Sequence, residues 1–271
     1  MVRRHLHLAC ISIMCVALLC VQGAFAVDGS FGIIGDTRIG AMEAPYTAFV
    51  KQVEKQGIRT VIIVGDAIDT PGKQDEWDRL RHLTGERITL HVVAGNHDVN
   101  NRRSLAVYTQ VFGRGPYYSF SQNDTLFVVL NTEIPGQEGR IAGQQYGWLD
   151  KELSKAFKYK FVFLHRPLFP TIFGMGFCLD RHSQERDRLH QLFVKQGVAV
   201  VVSGHQHLYN RSEKDGVTYV ISGGGGGRLH GFTEEEGAFL HYLLAKKSKE
   251  GYVFSAFDFK GIVRDEFPVK R

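Results

Sequence analysis

This sequence predicts an α/β protein, built as a mixed sheet or two packed sheets with helices on the outside. Three observations carry that expectation. Short apolar, β-branched runs alternate with stretches of helical spacing for most of the chain. Toward the end the alternation stops, and paired runs separated by turn residues read as hairpins. The chain has 271 residues, 44% hydrophobic and 23% charged, which suits one large domain with its own core. That composition excludes a disordered chain, a collagen-like repeat and a coiled coil.

The elements follow in order. Residues 30–34 form a short apolar strand ending at Gly35-Asp36, and 42–56 have helical spacing that stops at Gly57. A β-branched strand at 59–64 ends at Gly65-Asp66, and a helix is expected over 73–83. A third strand, 88–94, runs into Gly95-Asn96-His97-Asp98. A fourth strand is expected at 125–131, then a helix at 143–156 and a strand at 158–164 that ends at His165. Residues 181–196 read as a helix and 198–202 as a strand ending at Gly204-His205. One hairpin spans 208–213 and 217–222 across Asp215-Gly216, and a second joins 238–245 to 252–259.

Residues 1–26 read as a secretory signal peptide rather than as part of the fold. Arg3 and Arg4 open it, an apolar run covers 8–20, and Ala24-Phe25-Ala26 supplies small residues for cleavage. A retained anchor is the competing reading, but the run is shorter than the roughly 20 residues needed to span a bilayer. Export to a periplasm or the outside is therefore expected, with no membrane span after cleavage. Cleavage lowers the formal net charge from +5 to +3, which leaves no basic excess, so no nucleic-acid binding is expected. It also leaves Cys178 as the one cysteine, so the mature chain forms no internal disulfide. Cys178 lies in an apolar stretch and reads as a small buried hydrophobe.

The chemistry gathers at the strand ends. Five of them finish in Asp, Asn or His, and ligands in open α/β sheets bind just outside the carboxyl ends of strands. A lone Asp there more often caps a helix, and a lone His in an apolar run more often packs. Five in order are not explained by capping. Carboxylate, amide oxygen and imidazole together suit zinc, manganese or iron, and buried carboxylates need a cation to be tolerated.

Gly35-Asp36, Gly65-Asp66-Ala67-Ile68-Asp69, Gly95-Asn96-His97-Asp98, His165 and Gly204-His205-Gln206-His207 resemble, in order and spacing, the five blocks of calcineurin-like metallophosphoesterases. The resemblance covers about residues 30–230 and makes residues 27–271 the metallophosphoesterase domain. It implies two packed mixed β-sheets flanked by helices, an α/β/β/α sandwich, with a two-metal site. The ions would be divalent or trivalent transition metals: manganese, iron or zinc. Carried over by position, Asp66 would bridge the metals, Asp36 and His207 would hold the first, and Asn96, His165 and His205 the second. His97 would face the phosphate or leaving group, with Asp98 fixing its orientation; a purely structural histidine is the alternative. The implied activity is hydrolysis of phosphate mono- or diesters by a metal-bound hydroxide.

One block departs from the pattern. The family's usual Asp-x-His is here Asp36-Thr37-Arg38, and arginine cannot ligate a metal. Purple acid phosphatases also lack that histidine and use a tyrosine three residues after the bridging aspartate; here that position is Asp69, a candidate ligand. In one reading the site stays dinuclear with an adjusted first metal. In another, Arg38 replaces or weakens that metal and offers its guanidinium to the substrate phosphate. A simple ion pair between Arg38 and Asp69 is the third. Arg166 either contacts phosphate or pairs elsewhere. The rival function is a metal- or phosphate-binding module whose catalysis is lost or altered because of Arg38. Glycines 223–227 lack the Lys-Ser/Thr ending of a nucleotide loop and read as a tight passage near the metals. The Phe-rich stretch 168–179 is either a lid or a loop packed on the core.

Overall fold

The computed structural model describes residues 29–231 and 233–271. The expected signal peptide therefore lies outside the described residues. In chain order the elements are β1 (Phe31–Ile34), α1 (Ala44–Lys55), β2 (Thr60–Ile63), α2 (Gln74–Thr84), β3 (Thr89–Val92), α3 (Arg102–Phe112), β4 (Tyr118–Gln122), β5 (Thr125–Val129) and α4 (Gly143–Leu153). There follow β6 (Tyr159–Phe163), two short 3-10 turns (Ile172–Gly174 and Leu179–His182), α5 (Ser183–Lys195), β7 (Val200–Ser203), β8 (Tyr209–Lys214), β9 (Val217–Ser222), β10 (His241–Ser248), β11 (Gly251–Asp258) and β12 (Val263–Val269).

Two six-stranded mixed sheets result, in the orders β12-β11-β10-β1-β2-β3 and β4-β5-β6-β7-β9-β8. In the first, β1, β2 and β3 are parallel. In the second, β5, β6, β7 and β9 are parallel. Side chains alternate across each strand, so every strand in the middle feeds two cores. Phe31, Ile33, Phe127, Phe161, Phe163 and Phe254 meet between the sheets. Ile34, Val61 and Ile63 point the other way, onto α1 and α2, while Leu126, Val128 and Val162 lie under α4 and α5. The order of layers is helix, sheet, sheet, helix, as expected.

Each early βα unit leaves its strand at the carboxyl edge, and the pairing continues past the strands. Asp36 N–H bonds the Gly65 carbonyl, Val93 N–H that of Ile63, and Gly204 N–H that of His165. The two sheets thus present their loop-bearing ends side by side. Three elements go beyond the sequence expectations: α3, β4 and β12. Helix α3 begins in a capping box between Asn101 and Ser104 but buries only Ser104, Tyr108 and Val111, so its apolar stripe is thin. Strand β4 is a half-buried edge, and β12 is a charged edge strand that finds its place only by pairing with β11. No helix among the described residues is long and apolar enough to cross a membrane.

Candidate metal centre

The carboxyl ends of both sheets converge on one cluster. Asp36 follows β1, Asp66 follows β2, Asn96 follows β3, His165 follows β6, and His205 and His207 follow β7. Asp36, Asp66 and His165 are almost fully buried, and one ligand-type atom from each lies within 4.8 Å of the others. Asn96 Oδ1 stands 3.1 Å from His165 Nε2 and 2.9 Å from His205 Nδ1, and those two nitrogens are 3.2 Å apart. His165 Nε2 is 3.4 Å from Asp66 Oδ1. On the other side, His207 Nε2 is 3.3 Å from Asp36 Oδ1.

The tautomers follow from the outer contacts. His165 Nδ1 lies 3.0 Å from the Val64 carbonyl and His207 Nδ1 2.6 Å from that of Arg228. A carbonyl only accepts, so both Nδ1 atoms carry the proton, and in the neutral ring each Nε2 offers a lone pair inward. Inward, His165 meets amide and carboxylate oxygens, which also offer lone pairs. Such a set is satisfied by a cation, and ligands about 2.1 Å from one ion stand about 3.0–3.4 Å apart, close to these spacings. The donor set therefore fits transition-metal ions.

Charge tells the same story. Burial works against an imidazolium at His165, but the carboxylates of Asp66 and Asp36 outweigh it and hold its pKa above the ordinary value. At His207 burial is likewise outweighed, by the Asp36 contact, and its pKa rises to about 8. Burial and the neighbouring His165 push His205 the other way. The cluster's carboxylates thus call for positive charge, as proton or as metal.

Backbone strain concentrates here. Six described non-glycine residues have positive φ; three of them, Asp36, Asp66 and His205, belong to this cluster, and a fourth, Arg38, lies beside it. Close approach does the rest. A Cβ on Gly65 would sit 2.2 Å from His165 Nδ1, and one on Gly227 would sit 2.4 Å from the His207 ring. The glycine run 223–227 is a tight passage beside the cluster, as expected: Gly225 and Gly227 bond the carbonyls of Gly35 and Asp36 across the sheets.

The remaining candidates are placed as follows. Arg38 donates from Nε and Nη2 to Asp69 Oδ1 (2.9 and 2.7 Å), with Nη1 3.9 Å from Asp66 Oδ2. Asp69 thus faces Arg38. His97 is half-buried beside the cluster; its backbone N–H bonds Asp66 Oδ1, and its ring Nδ1 lies 2.9 Å from the Asp69 carbonyl. Asp98 does not serve as the expected partner of that ring. It is fully buried, and its two oxygens accept the backbone N–H groups of Ile68 and Gly95, pinning two of the metal-bearing loops together. Burial and the Asp66 charge push its pKa up. Arg166, next to His165, is engaged in a two-pronged pair with buried Glu133 (2.7 and 2.8 Å), and its Nη1 donates to the Phe177 carbonyl.

Four residues outside the expected set support the centre. Glu133 anchors Arg166. Gln206, between two of the histidines, clamps Thr171 at the start of the Phe-rich loop. His230 stacks on His207 (centroids 4.6 Å apart) and accepts its backbone N–H. Glu76 accepts the N–H groups of Asp69 and Thr70. Only Gln206 carries a sequence signal, its place inside Gly-His-Gln-His. The Phe-rich loop packs through Leu168, Cys178 and Leu179 and exposes Ile172, Met175 and Phe177. A cavity of about 460 Å³ opens between Phe173, His207, Arg228 and His230. Larger cavities of about 730 and 620 Å³ lie by α5 and α2, away from these donors.

Residues 29–209 match the family model of the calcineurin-like phosphoesterases. The chain belongs to the calcineurin-like phosphoesterase family. It is 28% identical over 218 residues to the human serine/threonine-protein phosphatase CPPED1, covering 70% of this chain and 69% of that protein. It is 25% identical over 175 residues to purple acid phosphatase 15 of Arabidopsis thaliana, where the match takes in 57% of this chain and 32% of the plant protein. The structure of purple acid phosphatase PPD1 from yellow lupin superposes with a TM-score of 0.75 at 18% identity, over 92% of this chain and 55% of the lupin chain. That likeness establishes the shared fold. The chain thus has hydrolase relatives, a metallophosphoesterase fold and a cluster of metal-type ligands.

Proposed function

We propose that this chain is an exported phosphoester hydrolase that works with two transition-metal ions on phosphate mono- or diesters. The observation that carries the proposal is the buried convergence of Asp36, Asp66, Asn96 and three histidines, two of which are held with Nε2 inward by backbone carbonyls. Asp36 and His207 would hold one ion, Asn96, His165 and His205 the other, and Asp66 both. Bound there, manganese, iron or zinc supplies Lewis acidity toward the phosphoryl oxygens and lowers the pKa of water. The chain's own part is positioning and proton transfer. His97, with Nδ1 directed at the Asp69 carbonyl, keeps Nε2 for the leaving oxygen. Asp98 holds the loops that carry Asp66 and Asn96 in register. The signal-like residues 1–26 support export, with the mature chain beginning at Val27.

The test is elemental analysis after loading with manganese, iron or zinc and dialysis, followed by assay on mono- and bis-aryl phosphates. Two retained ions with metal-dependent hydrolysis are expected; no retained metal and no hydrolysis refute the proposal. Mass spectrometry of the exported protein checks the Val27 start. Arg38, at the position of the family's usual histidine ligand, favours a second reading: a binding module without turnover. Retained metal with no hydrolysis of either ester would support it.

A further inference from the structure

Within the hydrolase reading, one segment organises two groups that face the cluster without belonging to its donor set. Asp69 uses its carboxylate and its carbonyl for different partners. The carboxylate, through Oδ1 alone, takes the Nε–Nη2 edge of the Arg38 guanidinium, and the carbonyl meets His97 Nδ1. The segment itself is held from below: Asp69 N–H and Thr70 N–H both donate to Glu76 Oε2, at 2.9 and 2.8 Å. Glu76 is buried, and the bare Cα of Gly40 makes room for it, since a Cβ there would lie 2.5 Å from the Glu76 carboxyl carbon. Arg38 is fixed at its own backbone as well, with φ of 52° and its N–H on the Asp66 carbonyl. A guanidinium secured through two nitrogens of one edge has lost much of its freedom before any ligand arrives. Nη1 is the nitrogen left over, close to Asp66 Oδ2. The side chain as a whole remains 20% exposed, and Nη1 is the nitrogen that Asp69 does not take.

We infer that Asp69 is a positioning residue, not a metal ligand, and that it sets Arg38 to bind the phosphoryl group of a phosphate monoester. The substrate class follows from counting acceptors. A monoester has three terminal oxygens and a diester two. The donor on Arg38, added to the metal cluster, suits the group with the third oxygen. The inference rests on the hydrolase reading, but binding of inorganic phosphate tests it independently of turnover.

The experiment measures inorganic phosphate binding to the manganese-loaded full chain by calorimetry, alongside kcat, KM and metal content on mono- and bis-aryl phosphates. Arg38→Gln and Asp69→Ala are each expected to weaken phosphate binding, and to raise KM for the monoester, by about 10- to 100-fold, the usual worth of a charge-assisted contact. KM for the diester should change by less than about threefold, and metal content not at all. The double variant should be no worse than Arg38→Gln alone, because Asp69 acts through Arg38. Asp69→Asn, which keeps an acceptor oxygen, should restore part of the loss. Loss of a metal ion in Asp69→Ala makes Asp69 a ligand and overturns the inference, as does unchanged phosphate affinity in Arg38→Gln. A wild-type chain that binds phosphate yet hydrolyses neither ester sinks the hydrolase reading while leaving the role of Arg38 supported.

Discussion

Replacing Gly65 by alanine is a sharp test of how the cluster is assembled. The residue has φ of 93°, and an added Cβ would meet His165 Nδ1 at 2.2 Å and Cγ at 2.6 Å. Two costs add. Placing an L side chain in left-handed backbone costs about 1–2 kcal/mol. The overlap costs about 1–3 kcal/mol as overpacking. The imidazole cannot retreat freely, because its Nδ1 proton is committed to the Val64 carbonyl and Asn96 Oδ1 stands 3.1 Å from its other edge. The expected destabilisation is about 2–5 kcal/mol, which lowers Tm by very roughly 5–20 °C in a chain of this size. Two controls separate the terms. Gly113 ends α3 with φ of 58° and open space around it, so Gly113→Ala should show the backbone cost alone. Gly147 sits within α4, also with open space, and Gly147→Ala should stabilise by about 0.5–1 kcal/mol. The assays are thermal and urea midpoints on all three variants, plus metal content of Gly65→Ala. A Gly65→Ala protein with the wild-type midpoint and full metal content would refute the claim that the two sheets meet through this contact.

Two further predictions follow from the same geometry. Asn96→Ala should lose metal affinity by more than the 10- to 100-fold typical of removing an outer partner, and activity with it. His97→Ala should slow turnover by about 10²- to 10⁴-fold with metal content intact; elemental analysis beside a kcat measurement separates the two, and metal loss in His97→Ala would contradict its assigned role. Away from the site, Asp265 on β12 accepts from Tyr209 Oη (2.6 Å) and Arg211 Nε (2.5 Å) on β8, tying the edges of the two sheets. Burial works against its charge, but the bonds from Arg211 and Tyr209 outweigh it and hold its pKa below the ordinary carboxylate value. A depressed folded-state pKa gives stability that is present above the unfolded value and lost as pH falls through the folded one. Asp265→Asn should therefore cost about 1 kcal/mol at neutral pH, and the gap to wild type should close below about pH 4. A gap that does not narrow at all as pH falls below about 4 in urea titrations would show that the contact does not act through charge.

What the sequence determined by itself was the repeating unit and the kind of chemistry. Short β-branched runs followed by Gly-Asp, Gly-Asn-His or Gly-His are local signals, and they located the strand ends and every residue of the donor cluster. The periodic helices α1, α2, α4 and α5 were legible for the same reason. Helix α3 and strands β4 and β12 were not, because their stability comes from a thin stripe or from an edge pairing with a neighbour rather than from their own pattern. Tertiary structure alone decided how the parts are wired. Which group serves His97 depends on where the loop after β2 passes the loop after β3, and the chain brings the backbone carbonyl of Asp69 there instead of the Asp98 carboxylate. The partner that Arg166 takes is Glu133, which lies 33 positions away and carries no motif. The Arg38–Asp69 pair likewise spans 31 positions, joined by the parallel pairing of β1 with β2. Local pattern names the residue types an active centre needs; partner choice among buried charges is set by distances that only the packed sheets create.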